Sequence, residues 1–230
     1  MVATTSEALE FKANGGTATG YLARPVEGGR HPAVVVIQEW WGLNDNIRDI
    51  ANRIAAEGYV ALAPDLYHGN VTAEPDEAQK LMMALQQDKA VVDMNGAVSA
   101  LQARDDVEAA KIGVTGFCLG GGLALLLAMK NPAVTAAAPF YGVPMGDLAE
   151  VSNIQGGVLG LYAGQDGFVT GDYVEQVRSA LAGAGVSHEI HTYAEADHAF
   201  FNDTSEAYKA DDAGDAWERL KQFLALQLRG

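Results

Sequence analysis

Apolar residues in this chain come in short, nearly unbroken runs, separated by stretches where they recur every three or four positions. The runs are AVVVI (33–37), VALAP (60–64), KIGVTGF (111–117), VTAAAPFYG (134–142) and GVLGLYAG (157–164). A strand with one wet face alternates apolar and polar side chains. A run that is apolar on both faces predicts a central strand of a parallel sheet covered on both sides. Between the runs the period changes. Asn44 is placed to cap a helix whose inner face is Ile47, Ile50, Ala51 and Ile54, with Gly58 to end it. Tyr173, Val177 and Leu181 share one side of a second helix, and Trp217, Leu220, Leu224 and Leu228 one side of the last. Residues 73–104 read as helix in two pieces. The opening FKANGGTATGYLARP carries a Gly-Gly turn signal and predicts an antiparallel hairpin at the edge of the sheet.

Strands alternating with helices define an α/β protein: a mostly parallel central sheet, helices on both faces and an N-terminal antiparallel edge, in the α/β-hydrolase manner. No repeat, low-complexity stretch or linker interrupts the 230 residues, so one domain over 1–230 is expected. The formal net charge of −15 repels nucleic acid and gives anionic substrates no steering, so neither nucleic acid nor a membrane is an expected partner. The N-terminus has neither a basic start nor an apolar core of the signal-peptide kind, and the most apolar stretch, LALLLAM (123–129), is too short to span a bilayer. A single cysteine excludes an intrachain disulfide and fits a reducing compartment. A cytoplasmic location is expected.

The candidate chemistry sits where the third long run ends. In GFCLGGG (116–122), Gly116, Cys118 and Gly120 fit the pattern G-x-nucleophile-x-G, a tight strand-to-helix turn that lifts the nucleophile clear of the backbone. The following helix N-terminus directs partial positive charge at Cys118 and favours its thiolate. A phosphate-cradling loop is the competing reading, but its lysine is missing, because Leu123 follows Gly122. A hydrolase of this kind needs an acid and then a histidine from loops after later strands. Asp166 follows the run 157–164, and His198 follows HEIHTYAEA (188–196). The order Cys118, Asp166, His198 meets that requirement, with the histidine moving the proton and the aspartate fixing its tautomer. Asp166 is also an ordinary turn residue before Gly167. His188 and His191 fall on opposite faces of a strand and make no metal pair.

Glu39, in QEWWG (38–42), is a carboxylate at the end of a buried strand, where an unpaired charge is costly. The loop after the third strand normally supplies one oxyanion-hole amide and the residue after the nucleophile the other, which here are the backbone N–H groups of Trp40 and Leu119. Glu39 then borders the same cavity, as hydrogen-bond partner or proton acceptor for Cys118. Pairing with Arg48, or simple hydration, is the other reading of Glu39.

These stretches, with PDLY (64–67), YGV (141–143), AGQDGFV (163–169) and ADHAF (196–200), resemble the dienelactone hydrolase family from the hairpin to the last helix. The resemblance implies a cysteine-nucleophile α/β-hydrolase that opens an unsaturated cyclic ester with no metal or organic cofactor. It also implies that Glu39 holds the resting cysteine and helps to activate it. The best-known members grip the substrate carboxylate with two arginines. One belongs to the helix matching residues 74–83, which here has none, and the other stands four residues after the histidine, where this chain has Asn202. Without those donors bidentate carboxylate recognition is lost. A pocket lined by Trp40, Met82, Tyr141, Phe168 and Phe200 favours neutral, apolar or aromatic esters and lactones, with neutral phosphotriesters as a side activity. Two other readings stay open on the residues alone: a non-catalytic ligand binder, and a redox-sensing thiol protein built on Cys118.

Overall fold

The computed structural model of the protein describes residues 1–230. Eight strands form one sheet in the order β1-β2-β4-β3-β5-β6-β7-β8. They are β1 (Thr4–Ala13), β2 (Gly16–Pro25), β3 (His31–Ile37), β4 (Val60–Pro64), β5 (Val107–Phe117), β6 (Val134–Phe140), β7 (Gly157–Ala163) and β8 (His188–Tyr193). The helices are α1 (Asp45–Ala56), α2 (Pro75–Ala84), α3 (Gln87–Gln102), α4 (Leu119–Lys130), α5 (Gly171–Gly183) and α6 (Ala210–Arg229), with a 3-10 turn over Leu148–Asn153. The chain resolves into two compact units, Met1–Gly113 and Val114–Gly230.

In the first unit, β1 and β2 are the antiparallel edge and β3 and β4 run parallel. The hairpin turns on Asn14 and Gly15, with φ of 48° and 73°, one residue earlier than a Gly-Gly turn. That is the Asn-Gly pair whose left-handed backbone matches strand twist, and it leaves Gly16 to open β2. The pairing of Phe11 with Ala18 and of Ala8 with Tyr21 puts Phe11 and Tyr21 on opposite faces of the sheet. The Tyr21 hydroxyl donates to Asn52 of α1 at 3.1 Å, whereas Phe11 and Ala13 meet Gly96 of α3. Helices therefore cover both faces here, which is why residues 32–37 of β3 and all of β4 are buried and apolar. Asn44 caps α1 by accepting from Ile47 N at 3.2 Å, and Ile47, Ile50, Ala51 and Ile54 are buried.

In the second unit β6, β7 and β8 are parallel. All but Lys130 of α4 is buried. Helix α6 buries Leu220, Leu224 and Leu228, as its period requires. No helix is long and apolar enough to cross a membrane.

Candidate active site

Strand β5 ends at Phe117, and the chain turns at Cys118, with φ 55° and ψ −116°, before α4 starts at Leu119. A side-chain-bearing residue in this region is strained by roughly 1–3 kcal/mol and persists only where its surroundings over-determine it. They do. The Cys118 N–H donates to the Phe140 carbonyl at 3.1 Å. The Cys118 carbonyl accepts from Gly121, Gly122 and Val143 N–H at 3.0, 3.2 and 3.2 Å. The turn that leaves β6 thus grips both backbone groups of Cys118. That grip needs α4 against the turn with nothing between: a Cβ on Gly121 would stand 2.5 Å from the Phe140 carbonyl, and one on Gly142 2.6 Å from the Gly121 carbonyl carbon. The small residues of the motif are a steric requirement, and Cys118 is left half-buried. Its successor Leu119 has one of the first-turn amides that a helix leaves without an intrahelical acceptor.

Asp166 and His198 come from the loops after β7 and β8, tied together by Gly164 N–H to Tyr193 O at 2.8 Å and Gln165 N–H to Ala196 O at 2.9 Å. His198 Nδ1 lies 2.8 Å from Asp166 Oδ2. An ionised carboxylate only accepts, so Nδ1 carries the proton and Nε2 is left as the basic nitrogen. Both readings of Asp166 hold at once. Its Oδ1 accepts from Phe168 and Val169 N–H at 2.8 and 2.9 Å, as a turn residue does, while Oδ2 orients the imidazole. Burial pushes the Asp166 carboxyl up, but the hydrogen bond and charge of His198 and the two amides together hold it below its ordinary value. Its side chain is 1% exposed and that of His198 14%, so the dyad opens to solvent only through the imidazole.

Two further left-handed residues flank this dyad: Tyr141, with φ 35°, and Ala199, with φ 66°. The Tyr141 ring meets the His198 ring edge-on at 5.1 Å, and the exposed Phe168 meets it from another side, also at 5.1 Å. Phe200 is fully buried between Tyr141 and Tyr193, with centroids 5.5 and 4.8 Å away. Asp197, next to His198 in the chain, is exposed, and Asp166 is the residue that holds the ring.

In the first unit, Glu39 is 2% exposed just past β3. Arg48, one partner its sequence position offered, instead lies 3.6 Å from Asp45 and over the Tyr21 ring. Trp40 and Trp41 are half-buried and meet edge-on at 4.8 Å. Met82 is half-buried on α2. No cluster of three or more metal-ligating side chains occurs.

A G-x-C-x-G turn between β5 and α4, with an Asp-oriented histidine from later strand-end loops, is the arrangement of an α/β-hydrolase. The dienelactone hydrolase family model matches residues 18–228, and the chain belongs to that family and so to the hydrolytic enzymes. It is 38% identical over 223 residues to Protein usf of Aquifex pyrophilus, covering 94% of this chain and 96% of the relative. A crystal structure of a provisionally named dienelactone hydrolase from Klebsiella pneumoniae superposes with a TM-score of 0.89 at 33% identity, covering 97% of this chain and 99% of that one. The dienelactone hydrolase-like promiscuous phosphotriesterase P91, from metagenomic libraries, shares the fold with a TM-score of 0.91 at 24% identity, covering 98% and 99%.

Proposed function

We propose that this enzyme hydrolyses neutral carboxylic esters and lactones through an acyl-cysteine. The observation that carries the reading is the arrangement in the second unit: Cys118 on a clamped elbow at the head of α4, and His198 held through Nδ1 by Asp166. In acylation the Cys118 thiol gives its proton to His198 Nε2 and sulfur bonds to the substrate carbonyl carbon. The tetrahedral oxyanion takes the Trp40 and Leu119 amides as donors. Its collapse breaks the carbon–oxygen bond, and the leaving alkoxide takes the proton from Nε2. Water then gives a proton to Nε2 and attacks the thioester, and the proton returns to sulfur as the acid departs. Glu39 holds the thiol in the resting enzyme. Trp40, Met82 and Phe168 are the apolar lining residues of this reading, whereas Tyr141 and Phe200, expected there too, are fully buried, Tyr141 against the His198 ring and Phe200 against Tyr141.

Neutrality of the substrate follows from where the candidate cations and their substitutes are spent. Asn202, which replaces one arginine of the best-known relatives, is 4% exposed and accepts from Thr204 N–H and Oγ1 at 3.0 and 2.7 Å within its own loop. The only cation of α2, Lys80, pairs with Glu77 at 2.6 Å. A neutral aryl dialkyl phosphate is the side substrate we assign, since attack by sulfur on phosphorus also develops an oxyanion suited to two amides.

Stopped-flow turnover of an aryl acetate, an aryl lactone and an aryl dialkyl phosphate tests the reading. The expected result is an aryl-alcohol burst followed by steady hydrolysis, both absent in Cys118→Ala. Undiminished turnover by Cys118→Ala would overturn the acyl-cysteine. Saturable binding without turnover would favour a ligand binder, and fast peroxide reactivity without ester hydrolysis a thiol sensor.

A further inference from the structure

The motif PDLY plays no part in the chemistry above, yet its aspartate is buried and fully engaged. Asp65 is 7% exposed and directly follows β4. Its Oδ1 accepts from Tyr67 N–H at 3.0 Å and its Oδ2 from Gly69 N–H at 2.5 Å. Within the same loop Asn70 donates twice to the Tyr67 carbonyl, from its backbone at 3.2 Å and its side chain at 2.7 Å. Residues 65–70 are thereby wound into a knot on one carboxylate.

This knot and the two residues after it touch QEWWG at three points. Leu66 N–H donates to the fully buried Gln38 Oε1 at 3.1 Å, at the start of the motif. Thr72 N–H donates to the Trp41 carbonyl at 3.1 Å, near its end. Gly42, with φ 92°, lies so close to the knot that a Cβ there would collide with the Asn70 carbonyl and stand 3.2 Å from Val71 Cα. Glu39 and Trp40 lie between the first of these contacts and the other two, and Gly42 N–H closes the turn on the Glu39 carbonyl at 3.4 Å. An outer tether runs from His68 Nε2 to Asp93 Oδ2 of α3 at 3.3 Å, and Asp93 Oδ1 accepts from Asn14 Nδ2 at 2.7 Å.

We infer that Asp65 is a positioning residue: by winding residues 65–70 it fixes the Glu39–Gly42 turn and so the direction of the Trp40 amide. The inference rests on the proposed role of that amide as an oxyanion donor. A preorganised donor works because it does not reorient during the reaction. Loosening it therefore costs transition-state stabilisation more than ground-state binding.

The test compares wild type with Asp65→Ala, Asp65→Asn and Gly42→Ala on an aryl acetate. It adds the affinity for an aryl trifluoromethyl ketone, whose thiohemiketal oxyanion mimics the intermediate, and the rate of Cys118 alkylation by iodoacetamide. Loss of one oxyanion donor typically lowers kcat by about 10²–10³-fold, so a loosened donor is expected to cost roughly 10–100-fold in kcat. The ketone affinity should fall in parallel, with KM and the alkylation rate close to wild type. Asp65→Asn keeps one acceptor and the same shape, and should fall between wild type and Asp65→Ala. If Asp65→Ala or Gly42→Ala fails to fold, Asp65→Asn decides. Unchanged kcat and ketone affinity in the folded variants would sink the inference, as would an equal loss in ketone affinity and alkylation rate, which marks general loosening. A wild type whose hydrolysis survives Cys118→Ala would instead bring down the acyl-cysteine reading, and this inference with it.

Discussion

Two histidine–aspartate ion pairs occur in this molecule, one in each unit, and their differences bear on why only one of them is proposed to serve catalysis. In the second unit the imidazole engages Asp166 through Nδ1 at 2.8 Å; in the first, His68 engages Asp93 through Nε2 at 3.3 Å. Both carboxylate side chains are almost completely buried, at 1% and 3% exposure. Yet their acidities move in opposite directions. Burial raises both, but Asp166 has two amides and the His198 hydrogen bond to overcome it, and its carboxyl is lowered. Asp93 has the Asn14 amide and a more distant, exposed imidazole, and burial keeps its carboxyl raised. The number and closeness of donors decide the matter, not the pairing itself. The position of the ring differs as well. The His198 ring is seated against Tyr141 and Phe168, whereas the side chain of His68 is 59% exposed.

The largest effect expected from breaking this contrast is that of Asp166→Asn. An amide at 166 reverses the donor–acceptor pairing with Nδ1, and kcat should fall by about 10⁴-fold with the fold retained, as measured by steady-state hydrolysis beside circular dichroism. The same exchange at Asp93 should leave kcat within about threefold. It should act instead on the pH dependence of stability. A carboxyl raised in the folded state stabilises below its unfolded value, near 3.8, and that contribution is lost as pH rises through the folded value. Asp166 has the opposite sign: its contribution is present above 3.8 and lost as pH falls through its lower folded value. Denaturant titrations between pH 3 and 7 should therefore show Asp93→Asn gaining on wild type as pH rises. A flat difference would refute the raised carboxyl. Smallest of all, His68→Ala removes an exposed pair and should cost on the order of 0.2–1 kcal/mol, a melting shift of about 0.4–4 °C by calorimetry.

The meeting of Asp166 with His198 at the strand ends could be read from the chain because its constraints are local or ordered. Cys118 announces itself by glycines needed within two residues on either side, and Asp166 and His198 by following the last two parallel strands. The α1 cap and the break between α2 and α3 were legible for the same reason, since caps and periods act within a turn or two. Contacts between distant segments leave no such trace. Asp65 looks like any aspartate after a strand, and only the fold reveals that two amides close on it and that its loop meets Gln38, Trp41 and Gly42. Phe200 shows a related limit: an aromatic after a strand reads alike whether it borders a cavity or, as here, is sealed between two tyrosines. The one-residue shift of the hairpin reflects Asn14, which adopts left-handed backbone while losing less conformational entropy than a glycine would.

The grip on the elbow also bears on how an enzyme of this design diversifies. Every hydrogen bond described at Cys118 joins main-chain atoms: its N–H to Phe140, and its carbonyl to Gly121, Gly122 and Val143. These main-chain bonds do not depend on what the side chain ends in, provided its neighbours stay small. A serine at this position would inherit the same strained perch without any rebuilding of the strand, the helix or the clasp. The perch and the reactive atom proposed for it are thus separable: main-chain bonds and glycines set the one, a single side chain the other.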